Sequence, residues 1–273
     1  MNTVTERFEQ YPYHLRYQPH TQEAQSRLTI GMTTRMHGLS PYPENALNMA
    51  RYIDDAPERV TEHQQRLADT LHIPRAHWVF PIQTHENHIA QVTRADRMTN
   101  IETLTDALHG IDGLYTYDHD VMLTMCYADC VPIYFYSTKH HYIGLAHAGW
   151  RGTVSEIVTR MIEAVTFNVN DLHVVIGPAT SSSYEINEDI KRQFDALPIP
   201  SDAYIEQRDI DCYGIDLKKA NALLCEASGV PAENIDITSY ATSEDTSLFF
   251  SYRVERGKTG RMLAFIHQQS ETK

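Results

Sequence analysis

Cysteine is scarce in this sequence. Its 273 residues include four cysteines, at positions 126, 130, 212 and 225, and no Cys-x-x-Cys pair occurs. A chain of this length buries about three-quarters of its extended surface, so it needs no disulfide scaffold. The cysteine pattern therefore excludes a disulfide-rich secreted domain and indicates a reduced protein whose thiols are mostly core residues.

Long apolar runs and excess positive charge are also missing. No segment approaches the roughly 20 apolar residues of a membrane-spanning helix, and the polar N-terminal segment lacks the apolar core of a signal peptide. We therefore expect a cytoplasmic protein that does not bind membranes. The chain has 23 Lys and Arg against 36 Asp and Glu, a formal net charge of −13. This balance repels a phosphate backbone, so a nucleic-acid polymer bound through bulk charge is excluded.

The order of apolar segments predicts one α+β domain. Residues 1–28 are rich in Gln, Tyr and His and are interpreted as an irregular lead-in to a single domain over 29–273. The β-type runs of this domain are almost wholly apolar, which is typical of strands buried on both faces. We expect buried mixed β-sheets flanked by helices.

Individual segments follow from periodicity and from the positions of Pro and Gly. The predicted strands are 28–35, 77–82, three strands within 121–147 that include a hairpin turn at 137–140, 172–177, 248–254 and 261–268. The predicted helices are 57–71, which begins at Pro57, 153–167, 185–197 and 216–228.

Three polar islands interrupt the apolar strands. They are 83–85 (QTH), 128–132 (ADCVP) and 146–152 (AHAGWRG). In the third island a strand leads into a helix N-terminus, where free backbone N–H groups, the helix dipole and Arg151 favour an anion such as phosphate. The alternative is a glycine-rich turn in which Arg151 pairs with a surface carboxylate.

His85, Cys130 and His147 each stand at the end of a predicted strand. If these strand ends converge, they offer two imidazoles and one thiolate, and three protein ligands with an open fourth position are typical of catalytic zinc. Taken singly, each residue also has an ordinary structural explanation. The spacing by itself does not identify a zinc motif.

The sequence resembles the YfiH-type family, whose members are described both as laccase-domain polyphenol oxidases and as purine nucleoside phosphorylases. The resemblance extends from about residue 30 to 267. ADCVP and AHAGWRG are its most specific carriers. The further motifs are TTRMHGLSPYPENALNMA at 33–50, QTH at 83–85, DGL at 112–114, IGP at 176–178, YEI at 184–186, YGIDLKKAN at 213–221, FFSYR at 249–253 and TGRM at 259–262.

The resemblance implies a YfiH-like fold and a set of site residues. It implies a zinc site, in which copper is possible by substitution, with His85, Cys130 and His147 as ligands. It also implies Arg35 and Arg151 as residues for phosphate or ribose, with Gly152 beside Arg151. Asn48 is expected to face the same pocket, and we count Arg35, Asn48 and Arg151 as catalytic.

The activity implied by the resemblance is phosphorolysis of adenosine or inosine to the free base and ribose 1-phosphate, with associated adenosine deamination. The partners are then small molecules, a nucleoside and phosphate, and the expected assembly is a monomer or homodimer. Departures from the family pattern bear on substrate specificity. Ile53 replaces a Gly before two Asp, Ala241 replaces a Cys, and the segment between His85 and Asp112 is longer than usual.

Other functions remain open from the sequence. Two His and one Cys, with Met125 as an axial partner, also match a mononuclear copper centre and a polyphenol oxidase. However, the chain has no His-x-His pair of the kind that a trinuclear laccase cluster needs. Hydrolysis of wrongly built cell-wall precursors and a non-catalytic regulatory role are further alternatives. Asp129 is interpreted as either a support for the metal site or a structural residue.

Overall fold

The computed structural model describes residues 6–41 and 44–270. The helices are α1 (Gln22–Arg27), α2 (Pro57–Leu71), α3 (Trp150–Val154), α4 (Ile157–Glu163), α5 (Glu188–Asp195) and α6 (Leu217–Ala227). Short 3-10 helices cover Arg75–His77, Arg94–Asp96, Val169–Asp171, Ser201–Ala203 and Ala232–Asn234. The strands are β1 (Phe8–Gln10), β2 (His14–Tyr17), β3 (Leu28–Thr33), β4 (Ser40–Pro41), β5 (Glu44–Ala46), β6 (Trp78–Val79), β7 (Ile89–Gln91), β8 (Gly113–Thr116), β9 (Met122–Tyr127), β10 (Val131–Ser137), β11 (Tyr142–Ala148), β12 (His173–Ile176), β13 (Tyr184–Ile186), β14 (Ile205–Asp209), β15 (Cys212–Ile215), β16 (Ile235–Ile237) and β17 (Met262–Gln268).

Two six-stranded sheets organise the described part of the chain. The first sheet has the strand order β1-β2-β3-β17-β9-β6, and the second has the order β16-β12-β10-β11-β8-β7. Most neighbouring strands are antiparallel, but β6 with β9, β7 with β8 and β12 with β16 run parallel. Two small sheets, β13-β15-β14 and β4-β5, are also present. The expected α+β domain with mixed sheets flanked by helices is confirmed.

The central strands bury both faces because alternate side chains enter different cores. On β9, Leu123 and Met125 pack between the two sheets, whereas Met122 and Cys126 pack on the other face, in the cluster that includes residues of α2. Strand β10 alternates in the same way between the inter-sheet core and a cluster with α4 and α6. The layers are therefore helix, sheet, sheet and helix, which explains the nearly continuous apolar runs.

Several predicted elements are confirmed, and α2 begins and ends where the sequence indicates. The predicted strand at 77–82 is shorter, since only β6 forms there. The predicted helix at 153–167 is wrong in extent, because it begins at Trp150 and breaks between α3 and α4. At the break Glu156 adopts a left-handed φ of 57°, and the Ser155 carbonyl accepts from Asn87 Nδ2 at 2.6 Å. The region 185–197 forms helix only over α5, because the Asn187 side chain caps it.

The irregular lead-in expected over 1–28 is corrected by the structure for its described residues. Strands β1 and β2 extend the first sheet by antiparallel pairing with each other and with β3. Leu15 and Tyr17 of β2 are fully buried in the inter-sheet core, and α1 connects β2 to β3. The alternation of polar and apolar residues in this short strand is the signal that the sequence reading missed.

The strand expected at 248–254 is also wrong. Phe249 and Phe250 are fully buried, as in a strand, but the backbone follows a series of turns. Some of its backbone groups are satisfied by turn and loop hydrogen bonds, and others by distant side chains instead of by a neighbouring strand. The Phe249 carbonyl accepts from Arg35 Nη1 at 2.9 Å, and the Arg253 amide donates to Asp129 at 3.2 Å.

None of the helices in the described ranges combines the length and the apolar composition that a bilayer-spanning helix requires.

Buried tyrosine hydroxyls join the two sheets directly, and one of them is that of Tyr134. The hydroxyl of Tyr134, on β10, donates to the carbonyl of Gly31, on β3, at 2.8 Å. We predict that Tyr134→Phe lowers the free energy of unfolding by about 1–2 kcal/mol, because it leaves a buried carbonyl with one partner fewer. Urea denaturation measures this change. Tyr11→Phe, which removes an exposed hydroxyl, is the matched control, and equal effects of the two substitutions would contradict the prediction.

Candidate active site

The three polar islands of the sequence meet at one cavity. It lies where β9, of the first sheet, turns into β10, of the second, and where β11 ends at the start of α3. Its volume is about 830 Å³. Gln83 fixes the loop after β6 to this point, because its side-chain amide exchanges two hydrogen bonds of 3.0 Å with the backbone of Cys126. This pairing imitates one rung of a β-ladder.

His85, Cys130 and His147, here called the donor cluster, line this cavity together. Each offers one donor atom, and these atoms lie within 4.8 Å of one another. His85 is exposed to the cavity, Cys130 is half-buried, and His147 is buried. Gly149 allows this close approach, since a Cβ at that position would lie 2.8 Å from Cys130 Sγ.

The Asp112 carboxylate holds two sides of the donor cluster. Its Oδ1 accepts from the His85 amide at 3.0 Å and from His147 Nδ1 at 2.8 Å. Its Oδ2 accepts from the amides of Thr84 and Glu86 at 3.1 and 3.0 Å. With Nδ1 of His147 engaged as a donor to Asp112, Nε2 is the nitrogen that would bind a metal once it has lost its proton, as in a metal-binding histidine and its supporting carboxylate. The sequence analysis assigned no role to Asp112.

The charges within the donor cluster stabilise one another. Burial alone would raise the pKa of the Cys130 thiol, but His147 and His85 outweigh burial and lower this pKa to about 6. Burial likewise disfavours protonated His147, yet the Cys130 thiolate and Asp112 raise its pKa to about 9. Burial acts to raise the pKa of Asp112. The hydrogen bonds from His147 and the loop amides outweigh burial, so this pKa lies below its ordinary value. A thiolate at neutral pH follows, and the thiolate is the form that binds metal.

Four arginines line the same cavity and are here called the arginine group. They are Arg151, Arg253, Arg256 and Arg261. Three of them lie against aromatic rings: Arg151 over Trp150 at 4.3 Å, Arg253 over Tyr184 at 4.1 Å and Arg261 over Tyr252 at 5.2 Å. Such stacking orients a guanidinium without neutralising it. The cavity therefore favours an anion. Of the arginine group, only Arg151 was expected from the sequence.

Asp129 is the acidic residue in the wall of the cavity, and its carboxylate is used internally. Its Oδ1 accepts from the Thr242 hydroxyl at 2.7 Å. Its Oδ2 accepts from the Ser251 hydroxyl at 3.0 Å and from the Arg253 amide at 3.2 Å. Asp129 thus ties the loop that carries Arg253 and Arg256 to the turn that carries Cys130.

Known proteins match this chain over nearly its whole length. A family model described as multi-copper polyphenol oxidoreductase laccase matches residues 29–269. The chain belongs to this laccase family. Purine nucleoside phosphorylase YlmD of Staphylococcus aureus is 62% identical over 266 residues, which cover 97% of this chain and 100% of that protein. A purine nucleoside phosphorylase of Staphylococcus saprophyticus is 66% identical over 239 residues, which cover 88% and 91% of the two chains.

Solved structures confirm the YfiH-like fold of this laccase-family chain. The hypothetical protein YfiH of Bacillus licheniformis matches with a TM-score of 0.90 and 35% identity, over 95% of this chain and 97% of that one. YlmD from Geobacillus stearothermophilus matches with a TM-score of 0.91 and 35% identity, over 97% and 100%. The resemblance to YfiH-type proteins is therefore confirmed.

Arg35 lies outside the cavity of this laccase-family chain, which corrects its expected place in the pocket. Its guanidinium donates to the carbonyls of Thr246 and Phe249 at 2.6 and 2.9 Å. It also pairs with Glu255 at 2.7 Å, and its side chain is 8% exposed. Because these partners occupy the buried guanidinium, Arg35 supports the loop that carries the arginine group and does not face the cavity.

Asn48, Gly152 and Met125 also lie away from the cavity surface. Asn48 is buried, and its Oδ1 accepts from the Arg261 amide at 3.1 Å, so it positions that arginine from behind. Gly152 packs below the donor cluster, where a Cβ would lie 3.1 Å from the His147 carbonyl. Met125 packs in the inter-sheet core, on the face of β9 opposite Cys126, and therefore is not placed as an axial ligand.

The charge state of the donor cluster gives a direct test in the metal-free protein. We predict that iodoacetamide alkylates Cys130 with a midpoint near pH 6, because His147 and His85 stabilise its thiolate. Cys126, whose pKa burial raises to about 12, stays unmodified over the range from about pH 5 to 9. Peptide mass spectrometry across this range measures both sites. A midpoint for Cys130 at or above that of an ordinary thiol, about 8.5, contradicts the assignment.

Proposed function

We propose that this protein is a zinc-dependent purine nucleoside phosphorylase. It would convert a nucleoside such as adenosine or inosine, with phosphate, to the free base and ribose 1-phosphate. The single observation that carries the proposal is the presence of the donor cluster and the arginine group on one cavity of about 830 Å³. The relatives at 62% and 66% identity are purine nucleoside phosphorylases by name, which supports the same reaction class.

The residues of the donor cluster suit zinc. Imidazole nitrogens and thiolates are common zinc ligands. The Nδ1 of His147 already donates to Asp112, which orients the ring as in known metal-binding histidines. His85, Cys130 and His147 would hold the ion, with the exposed side of His85 toward the cavity. Bound there, zinc would supply Lewis-acid polarisation or an activated water to a group in the cavity.

The arginine group suits phosphate. Arg151 and Arg256 make no side-chain hydrogen bond or ion pair within the described ranges, so their guanidinium groups are available for an anion. In the proposed reaction a phosphate oxygen forms a bond to C1′ of the sugar while the bond from C1′ to the base nitrogen breaks. The base leaves with the electron pair and takes up a proton. Arginines that hold the phosphate stabilise the charge of this step and fix the attacking oxygen.

The aromatic side chains suit the purine. Trp150, Tyr184 and Tyr252 line the cavity beside the arginines that they stack against. Aromatic rings of this kind stack on the face of a purine, as aromatic side chains do in proteins that bind single-stranded nucleic acids. A nucleoside would thus place its base among the rings and its sugar between the donor cluster and the arginines.

The direct test is a nucleoside screen with and without phosphate. The zinc-loaded protein should convert adenosine to adenine and ribose 1-phosphate only when phosphate is present. Cys130→Ala should abolish this conversion, because the cavity loses its thiolate donor. Cys212→Ala, which removes a thiol from β15 outside the cavity, is the matched control and should retain activity. Chromatography of bases and nucleosides measures the products, and phosphate-independent release of base contradicts the proposal.

Arg151 gives a second test that separates phosphate binding from metal binding. We predict that Arg151→Met raises the KM for phosphate by roughly 10- to 100-fold, since a hydrogen bond to a charged group contributes about 1.5–3 kcal/mol. Zinc content should stay unchanged. Arg160→Met, an exposed arginine of α4 outside the cavity, is the control. An unchanged KM for phosphate in Arg151→Met means that the anion binds elsewhere.

Adenosine deamination is a second candidate activity of the same site. It is favoured by a three-donor cluster open to the cavity at His85, since zinc-bound water near its shifted pKa of about 7 suits attack on purine C6. In the nucleoside screen it would appear as inosine formed without phosphate.

Copper-dependent oxidation is favoured by one specific observation, the His, His and Cys composition of the donor cluster. Its signature is phenol oxidation by the copper-loaded protein at a kcat in the range of roughly 1–10³ s⁻¹.

A further inference from the structure

A second group of metal-binding side chains lies at the opposite end of the first sheet from the cavity. It consists of His77, Asp120 and His267, here called the distal cluster. His77 ends the 3-10 helix before β6, Asp120 lies in the turn before β9, and His267 is near the end of β17. Both β6 and β17 pair at Met122, the first residue of β9. About 13 Å of strand separates Met122 from Cys126 at the cavity.

The distal cluster has the compact geometry of a ligand set. One donor atom from each residue lies within 4.8 Å of the others. The two imidazole rings stack with a centroid distance of 6.1 Å and an interplanar angle of 18°. The Asp120 backbone is fixed by a hydrogen bond of 2.9 Å from its amide to the Gln268 carbonyl. The three residues are therefore held by three different segments at one end of the first sheet.

The two imidazoles have buried nitrogens that nothing in the described ranges satisfies. His77 Nδ1 and His267 Nε2 are inaccessible to solvent and lack hydrogen-bond partners there. His119, the neighbour of Asp120, has a third such nitrogen, its Nδ1. Buried polar atoms are almost always paired, so unpaired nitrogens on both imidazoles of the distal cluster require an explanation. A bound ion supplies one, since it accepts lone pairs from several nitrogens at once.

The donor types select the class of ion. Two imidazoles and one carboxylate are typical ligands of zinc and other divalent transition metals, whereas calcium and magnesium prefer all-oxygen sites. Of the neighbours that act on His267, Asp120 is acidic, whereas His77, Arg97 and His119 are basic. Asp120 would therefore supply the negative charge that a divalent ion needs at this site.

We propose that His77, Asp120 and His267 form a second site for a divalent transition metal such as zinc, independent of the cavity. The ion would join the 3-10 helix, the turn before β9 and the end of β17, and so fasten the edge of the first sheet. This site touches none of the residues that line the cavity, so it stands or falls apart from the proposed function.

Zinc stoichiometry tests the proposal. The full-length protein is stripped with a chelator, reloaded with Zn²⁺ alone, desalted and analysed for metal per chain. We expect two zinc ions in the wild type, one in Cys130→Ser, one in His77→Asn or Asp120→Asn, and none when Cys130→Ser is combined with His77→Asn. His72→Asn, which changes an exposed histidine at the end of α2, is the matched control and should retain two.

Cobalt distinguishes the two sites spectroscopically. Co²⁺ in the cavity site should give a thiolate charge-transfer band that Cys130→Ser removes, while Co²⁺ in the distal cluster should give only ligand-field bands that His77→Asn removes. His267→Gln changes a buried side chain, so circular dichroism first checks that this variant folds. If the variant does not fold, the substitutions at the half-buried His77 and Asp120 test the site instead. A zinc content that neither His77→Asn nor Asp120→Asn lowers below that of the wild type overturns the proposal, whatever the effect of Cys130→Ser.

Discussion

The Asp112 carboxylate is the constraint on which the rest of the site depends. One oxygen accepts from the amide of His85 and from the ring of His147, and the other accepts from the two amides that flank His85. A loop after β6 and the end of β11 are therefore held to one buried anion, which also selects the His147 tautomer. Because burial makes an unpaired carboxylate costly, all four donors are needed to stabilise it.

The side of the cavity that carries the arginine group is organised by a second buried carboxylate. Asp129 accepts from Thr242, Ser251 and the Arg253 amide, and it precedes Cys130 in the chain. Arg35 supports the same loop through the Phe249 carbonyl and Glu255. The donor cluster and the arginine group thus share a wall. The carboxylates of Asp112 and Asp129 thus fix the donor cluster and the arginine group relative to one another.

The sequence predicted the layers of this fold better than the loops that make its site. Apolar periodicity located α2, α6 and the strands β9 to β12, because each of them buries a regular face. The run at 248–254 has the composition of a strand, yet Asp129 and Arg35 satisfy its backbone, and such long-range pairing leaves no local signal. Arg35 was expected in the cavity because of the family resemblance, whereas the lack of a local signal left Arg253, Arg256 and Arg261 unassigned. The polar islands that follow apolar runs correctly indicated His85, Cys130 and His147 as neighbours, although the loop after β6, fixed through Gln83, carries His85.

The central claim, that Asp112 organises a metal site, is tested most directly by the zinc affinity of Asp112→Asn, measured by competition with a chromophoric chelator in a His77→Asn background. Asp171→Asn is the matched control, since Asp171 accepts from His140 at 2.8 Å in the same kind of pair on the surface. The account predicts a loss of about 10- to 100-fold in affinity for Asp112→Asn and none for Asp171→Asn. Equal zinc affinities of the His77→Asn protein with and without Asp112→Asn would contradict it.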